Sequence, residues 1–151
     1  GFILPMSATI HGKIKVLFLC TGNSARSQMA EAWLRHLGGD HYEALSAGIE
    51  PKGINPYTHR VMAEAGVSLA GQHSKDVQAF VGRSDLDYLI TVCGHADANC
   101  PRALLDVAHR LHWDLEDPAA AEGDDATKLA KFRDSRDQIE ARVMAWLETG
   151  Q

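Results

Sequence analysis

The chain has 151 residues, 45% of them hydrophobic, and a formal net charge of -5 at pH 7. That length is expected to make one globular domain with one ordinary core, and the acidic balance, with no local cluster of Lys and Arg, excludes a nucleic-acid binder. Any anionic ligand must then be captured by local geometry rather than by a general positive field.

The chain opens GFILPMSATIHGK. Its apolar stretch is short, without a basic region before it or a small-residue cleavage site after it, so no signal peptide is expected. Residues 1–12 read as an N-terminal extension, with residues 1–5, ahead of Met6, as a remnant of vector-derived sequence, and 13–151 as the domain. No stretch has the length of a membrane span. Three cysteines, an odd number without secretory context, imply reduced thiols in the cytoplasm, so any disulfide should be transient.

The first element is the apolar run Ile14 to Leu19, a short buried strand with Cys20 at its edge. A helix follows over Ser27 to Leu37, carrying Met29, Ala30, Trp33, Leu34 and Leu37 at helical spacing until Gly38-Gly39 stops it. Tyr42 to Ala47 is the second strand. After the turn-rich GIEPKGINP, Pro56 opens a helix through Val61, Met62 and Ala65 that Gly66 closes. Asp87 to Val92 is a third, buried strand, and Ala108 to Trp113 a fourth. Small and acidic residues make Pro118 to Asp125 an exposed loop. A last helix shows Leu129, Phe132, Ile139, Val143 and Trp146 at three- or four-residue steps, broken only by Arg136. Strands alternating with helices imply a three-layer α/β/α fold around a four-stranded parallel sheet, with crossover helices on both faces.

In such sheets ligands sit beyond the carboxyl ends of strands, and the loop CTGNSARS, residues 20–27, lies at such an end. Its small residues Thr21, Gly22, Asn23, Ser24 and Ala25 let several backbone N–H groups turn toward one point, and the following helix adds its N-terminal partial charge. That is an anion cradle. It lacks the Gly-Lys-Ser/Thr of a Walker loop and the three glycines of a dinucleotide fingerprint. The N–H donors, the guanidinium of Arg26 and the helix N-terminus all favour a thiolate at Cys20, which makes it a nucleophile. Arg26 can grip two oxygens of a tetrahedral oxyanion, and Ser27 can hydrogen-bond the sulfur and ease its later departure.

This Cys-x5-Arg-Ser pattern between a strand and a helix resembles the low-molecular-weight protein tyrosine phosphatase fold, from Lys13 onward. The resemblance implies that the aspartate of Asp117-Pro118 is the general acid. A second stretch, VCGHADANCP over residues 92–101, holds Cys93 at the end of the third strand and Cys100 seven residues on. Two structural cysteines would be the default there. Zinc is disfavoured, since the spacing exceeds the usual two to four residues and only His95 lies between. A reduction, however, needs two electrons from thiols and ends in a disulfide.

With HWDLEDPA over residues 112–119, and Ala119-Ala120-Ala121 where phosphatases carry tyrosines, the chain resembles the thioredoxin-coupled arsenate reductases. That resemblance implies arsenate as substrate, with phosphate or sulfate as mimics. It also implies a relay in which Cys20 attacks arsenic, a Cys20–Cys93 disulfide forms, Cys100 passes it to Cys93–Cys100, and thioredoxin reduces it. No cofactor is implied, and a monomer is expected. The alternatives are a phosphatase using Cys20, Arg26 and Asp117 alone, and a non-catalytic oxyanion-binding or redox-sensing module.

Two further expectations come with the resemblance. If residues 93–100 were helical, seven steps of about 1.5 Å would hold the two Cα atoms roughly 10 Å apart. A disulfide tolerates at most about 7 Å, so the segment must unwind on oxidation. Some of these reductases also hold a potassium ion through residues matching Asn23, Glu31 and Ser46, plus an aspartate from the segment reading Gln72-His73-Ser74-Lys75-Asp76 here. A gap-free match puts Lys75 in the aspartate's place, its ammonium replacing the metal and pairing with Glu31; a slide of one residue puts Asp76 there.

Overall fold

A computed structural model describes residues 12–151. The N-terminal extension expected over residues 1–12 lies, apart from Gly12, outside the described residues. Four strands, β1 (Ile14–Cys20), β2 (Tyr42–Gly48), β3 (Tyr88–Thr91) and β4 (His109–His112), form one parallel sheet in the order β2-β1-β3-β4. Val16, Leu17, Phe18 and Leu19 are all 0% exposed. Consecutive residues of a strand point to opposite faces, so complete burial of all four means that both faces of the sheet are covered. This is the expected α/β/α arrangement, with β1 at its centre.

The helices are α1 (Arg26–Gly38), α2 (Pro56–Glu64), α3 (Gly94–Ala98) and α4 (Asp125–Thr149). Each boundary has a local cause. Pro56 opens α2 after Asn55, whose side chain accepts from Tyr57 N, and Asp124 caps α4 by accepting from Thr127 N. Gly150, left-handed at φ 76, ends α4. No side chain caps α1, whose preceding residue is Ala25, so its first N–H groups are left for something else.

Arg136, which interrupts the apolar stripe of α4, turns its guanidinium to the carbonyl of Val61 at 2.9 Å and to Glu64 at 3.2 Å, tying α4 to α2. At the far end of α4, Trp146 meets the edge of Tyr88 with ring centres 5.0 Å apart.

Three expectations need correction, the simplest being β4, which spans His109–His112 inside the expected Ala108 to Trp113. Strand β3 is shorter than Asp87 to Val92, although Asp87 and Val92 still donate to Lys15 O and Leu19 O, both at 2.9 Å, which carries the pairing one residue beyond each end. The stretch from Pro118 is not simply an exposed loop: Pro118–Ala120 form a 3-10 turn with Pro118 buried. Asp117 sets that turn by accepting from Ala119 N at 3.0 Å.

Candidate active site

The neighbours of β1 lie on opposite sides of it, so the loop leaving β1 enters the crevice where the chain's connections diverge. How that loop becomes a cradle is visible in its carbonyls. Those of Cys20, Thr21 and Gly22 accept from Ile49, Glu50 and Lys52 N at 3.1, 2.8 and 2.9 Å. That of Asn23 accepts from Gln28 Nε2 at 3.2 Å, and that of Ser24 from Asn55 N at 3.0 Å and Thr58 Oγ1 at 2.9 Å. With five successive carbonyls held outward, the loop's N–H groups are left for its concave side.

The close approach depends on Gly48. A side chain there would meet Thr21 O at 2.7 Å and Asn23 N at 2.9 Å, so only glycine lets the end of β2 pass the loop. Sequence reasoning did not single out Gly48 or Gln28; a β2 strand ending in glycine beside the loop was the available signal.

Cys20, 2% exposed, sits at the floor, accepting from Asn23 N at 3.2 Å. Its sulfur lies 2.8 Å from Ser27 Oγ. The neighbours of Ser27 favour donation from its hydroxyl. Asn23 Nδ2 donates to Ser27 Oγ at 2.8 Å and to Ser46 Oγ at 3.0 Å, while Ser46 donates to the Glu31 carboxylate at 2.6 Å. Ser27 therefore keeps its own proton free to give to sulfur. Asn23 itself is left-handed at φ 50, a conformation asparagine tolerates better than most residues. Its Oδ1 accepts from Gln28 Nε2 at 3.0 Å and Lys75 N at 2.9 Å. Every polar atom of this side chain is used, which holds the turn of the cradle in one geometry.

The network continues to Glu31, which is buried and pairs with Arg35. Lys75 Nζ lies 3.9 Å from Glu31 and donates to His73 O at 2.8 Å. Burial draws the lysine's pKa below its ordinary value, against the pull of Glu31. Asp76 is exposed, and its carboxylate accepts from Gln78 N at 2.9 Å. Of the two matches the sequence left open, the fold puts Lys75 beside Glu31, while Asp76 is exposed.

Arg26, at the first turn of α1, is 11% exposed. It donates from Nη1 to Leu115 O at 3.1 Å and holds Nη2 3.7 Å from Asp117 Oδ2. The guanidinium thus also tethers the late loop over the cradle, a role that sequence spacing of 89 residues did not suggest. Together with the cradle, Arg26, Asp117, Ala119 and Lys52 enclose about 220 Å³. Lys52 and Ala119 were not anticipated.

Cys93 stands at the end of the adjacent strand. The register pairs Leu19 with Thr91, so Cys20 falls opposite Val92 and Thr21 opposite Cys93, on strands about 4.8 Å apart. Thr21 Oγ1 lies 3.3 Å from Cys93 Sγ, which in turn caps α3 by accepting from Ala96 N at 3.4 Å. Cys100 lies beyond the far end of α3, half-buried, its thiol pKa pushed up by burial with Asp97 adding and Arg110 opposing. All three cysteines are free thiols.

A buried thiol at the floor of an N–H-lined cradle, with a guanidinium and a carboxyl over its mouth, is the equipment of cysteine enzymes that attack tetrahedral oxyanions. Residues 15–150 match the low molecular weight phosphotyrosine protein phosphatase family, and the chain belongs to it. Within that family it is similar to arsenate reductases. One from Halalkalibacterium halodurans is 45% identical over 89% of this chain and 96% of that protein. A solved arsenate reductase in the phosphate-binding state superposes with a TM-score of 0.75 at 33% identity, covering 89% and 97% of the two chains. A thioredoxin-dependent arsenate reductase of Corynebacterium glutamicum superposes with a TM-score of 0.71 at 29% identity, over 95% of this chain and 65% of that one.

Proposed function

We propose that the chain reduces arsenate to arsenite through Cys20, Cys93 and Cys100, with thioredoxin restoring the thiols. The observation that supports this reading most is the placing of Cys93 against Thr21, one strand over from the nucleophile, where a phosphatase would need no thiol.

Arsenate, a tetrahedral oxyanion like phosphate, occupies the cradle. The Cys20 thiolate attacks arsenic, a sulfur–arsenic bond forms, and the departing oxygen takes a proton from Asp117 and leaves as water. Cys93 then attacks the sulfur of Cys20. A sulfur–sulfur bond forms, the sulfur–arsenic bond breaks, and its electron pair stays on arsenic, which falls from the +5 to the +3 state as arsenite departs. Ser27 acts at the exchange that follows, donating to the Cys20 sulfur as that sulfur is displaced from Cys93. Cys100 attacks Cys93, freeing Cys20, and the two thiols of thioredoxin reduce the Cys93–Cys100 bond while becoming a disulfide themselves. The test is arsenate-dependent NADPH oxidation with thioredoxin and its reductase; no turnover with a competent thioredoxin would sink the reading. The cycle needs a reducing compartment, in keeping with the cytoplasm, and a monomer suffices. Among the described residues, no helix is long and apolar enough to cross a membrane.

The segment between the relay thiols carries a latch. Asp97, on α3, accepts from Thr91 Oγ1 at 2.9 Å and lies 3.6 Å from Arg110 Nη2. Unwinding α3 to join Cys93 and Cys100 breaks both contacts. Asp97→Ala is expected to speed Cys93–Cys100 formation about fivefold in a rapid-quench single turnover, the worth of one hydrogen bond plus an exposed ion pair. An unchanged or slower rate would mean that these contacts open after the exchange. Burial pushes the Cys100 thiol pKa up, which disfavours the attacking thiolate while α3 is wound.

Potassium does not fit beside the cradle. The Lys75 ammonium lies 3.9 Å from the Glu31 carboxylate that a cation would need, and Asn23 Oδ1 already accepts two hydrogen bonds within the network. Turnover is therefore expected to be indifferent to exchanging sodium for potassium at constant ionic strength, and Lys75→Ser to create a dependence. Activation of the unaltered enzyme by potassium would show that Lys75 moves out and a metal enters.

A further inference from the structure

We propose that Lys52 is a second cation of the substrate site, one that draws the oxyanion to the cradle and sets its affinity. The reading rests on the proposed function only in taking the ligand to be a phosphate-like oxyanion.

Three observations carry it. First, Lys52 lines the same cavity as Cys20, Arg26 and Asp117. Its backbone is anchored there, since its N–H donates to Gly22 O at 2.9 Å. Second, its stem lies against the cradle: a Cβ on Gly22 would be in van der Waals contact with Lys52 Cδ at 3.5 Å and Cγ at 3.6 Å. From Cδ the ammonium is two bonds further on, so a small rotation carries it over the cavity or back to water. Third, among the described residues no carboxylate lies within 4.0 Å of this ammonium, unlike Arg26, whose guanidinium faces Asp117 at 3.7 Å.

The charge balance then decides the role. The attacking Cys20 thiolate cancels the single charge of Arg26, Asp117 as the proton donor adds no positive charge, and the whole chain carries -5. An incoming anion would meet a site with no surplus of positive charge. Lys52 supplies it, and as a long, exposed side chain on the cavity lining it offers a mobile point charge to ligand oxygens rather than a fixed donor to the atom under attack. Interactions made equally with the bound substrate and the transition state change KM and leave kcat alone.

The test reads binding without turnover: protection of Cys20 from iodoacetamide by inorganic phosphate, followed by peptide mapping so that Cys93 and Cys100 do not contribute. Lys52→Gln, which keeps most of the stem, is expected to raise the half-protecting phosphate concentration about tenfold, the size of one charge contact at a part-exposed site. Lys52→Glu should raise it further, and Lys52→Arg should restore it to within about threefold of the unaltered chain. With arsenate, the Gln variant should show the same rise in KM at unchanged kcat. An unaltered half-protecting concentration in Lys52→Gln overturns the proposal, and so does an equal loss in Lys52→Arg, which would mark the stem's packing on Gly22 as the whole effect. If phosphate protection shifts as expected but the unaltered chain reduces no arsenate, the proposed reaction fails and the anion site stands.

Discussion

Replacing Cys100 with Ser is expected to leave one turnover intact and to stop the cycle. Mixed with one equivalent of arsenate, the variant should release arsenite in the normal yield and then accumulate a Cys20–Cys93 disulfide, which peptide mapping identifies. That bond is formed beside the cradle floor, where Cys20 is 2% exposed, so thioredoxin cannot reach it as it reaches a disulfide carried outward by an unwound α3. Replacing Cys93 with Ser should have a different outcome. The sulfur–arsenic adduct still forms, but no thiol stands opposite Thr21 to take the sulfur, and arsenite release should fall to background. Hydrolysis of a small phosphomonoester, which needs only Cys20, Arg26 and Asp117, should survive in both variants. If the Cys100 variant turns over with thioredoxin at the normal rate, or oxidised enzyme shows no Cys93–Cys100 link, the relay is wrong and the phosphatase chemistry is the main one.

Arg26→Lys should reduce kcat/KM by about 10²–10³, the usual consequence of removing one oriented donor from a developing charge. Charge is retained, so the loss measures geometry. A guanidinium presents parallel N–H groups to two oxygens, which an ammonium cannot copy. The structure adds a second cause. Nη1 holds Leu115 O at 3.1 Å while Nη2 faces Asp117, so the same group fixes the loop that delivers the proton. A lysine reaches one of these partners at most. Part of the loss should therefore persist in the protonation step, and phosphomonoesters with poor leaving groups should suffer more than those with good ones. Equal losses for both leaving groups would confine Arg26 to binding the oxyanion.

The sequence was most legible where chemistry and local structure coincide. Cys20, the small-residue loop and Arg26 lie within seven consecutive residues, and a strand before and a helix after them are readable from apolar periodicity. Strand β3 was read with its ends one residue too far out, because an apolar run does not show where pairing with β1 stops. The 3-10 turn at Pro118 was read as plain loop, since its cap is a single aspartate already assigned to catalysis.

By itself, then, the sequence determined the strand–helix alternation, the small-residue loop with Cys20 and Arg26 at its two ends, and the presence of two more thiols near a strand end, because each is written in neighbouring residues. Tertiary structure alone decided which distant groups meet the cradle. The register of β1 on β3 set Cys93 beside Thr21, across 72 residues of chain, and the passing of β2 against the loop required Gly48. The same packing chose Lys75 over Asp76 as the neighbour of Glu31, and it laid Lys52 against Gly22. Such contacts depend on how strands are ordered and how closely backbones pass, which is a property of the assembled sheet and leaves no period or spacing in the chain.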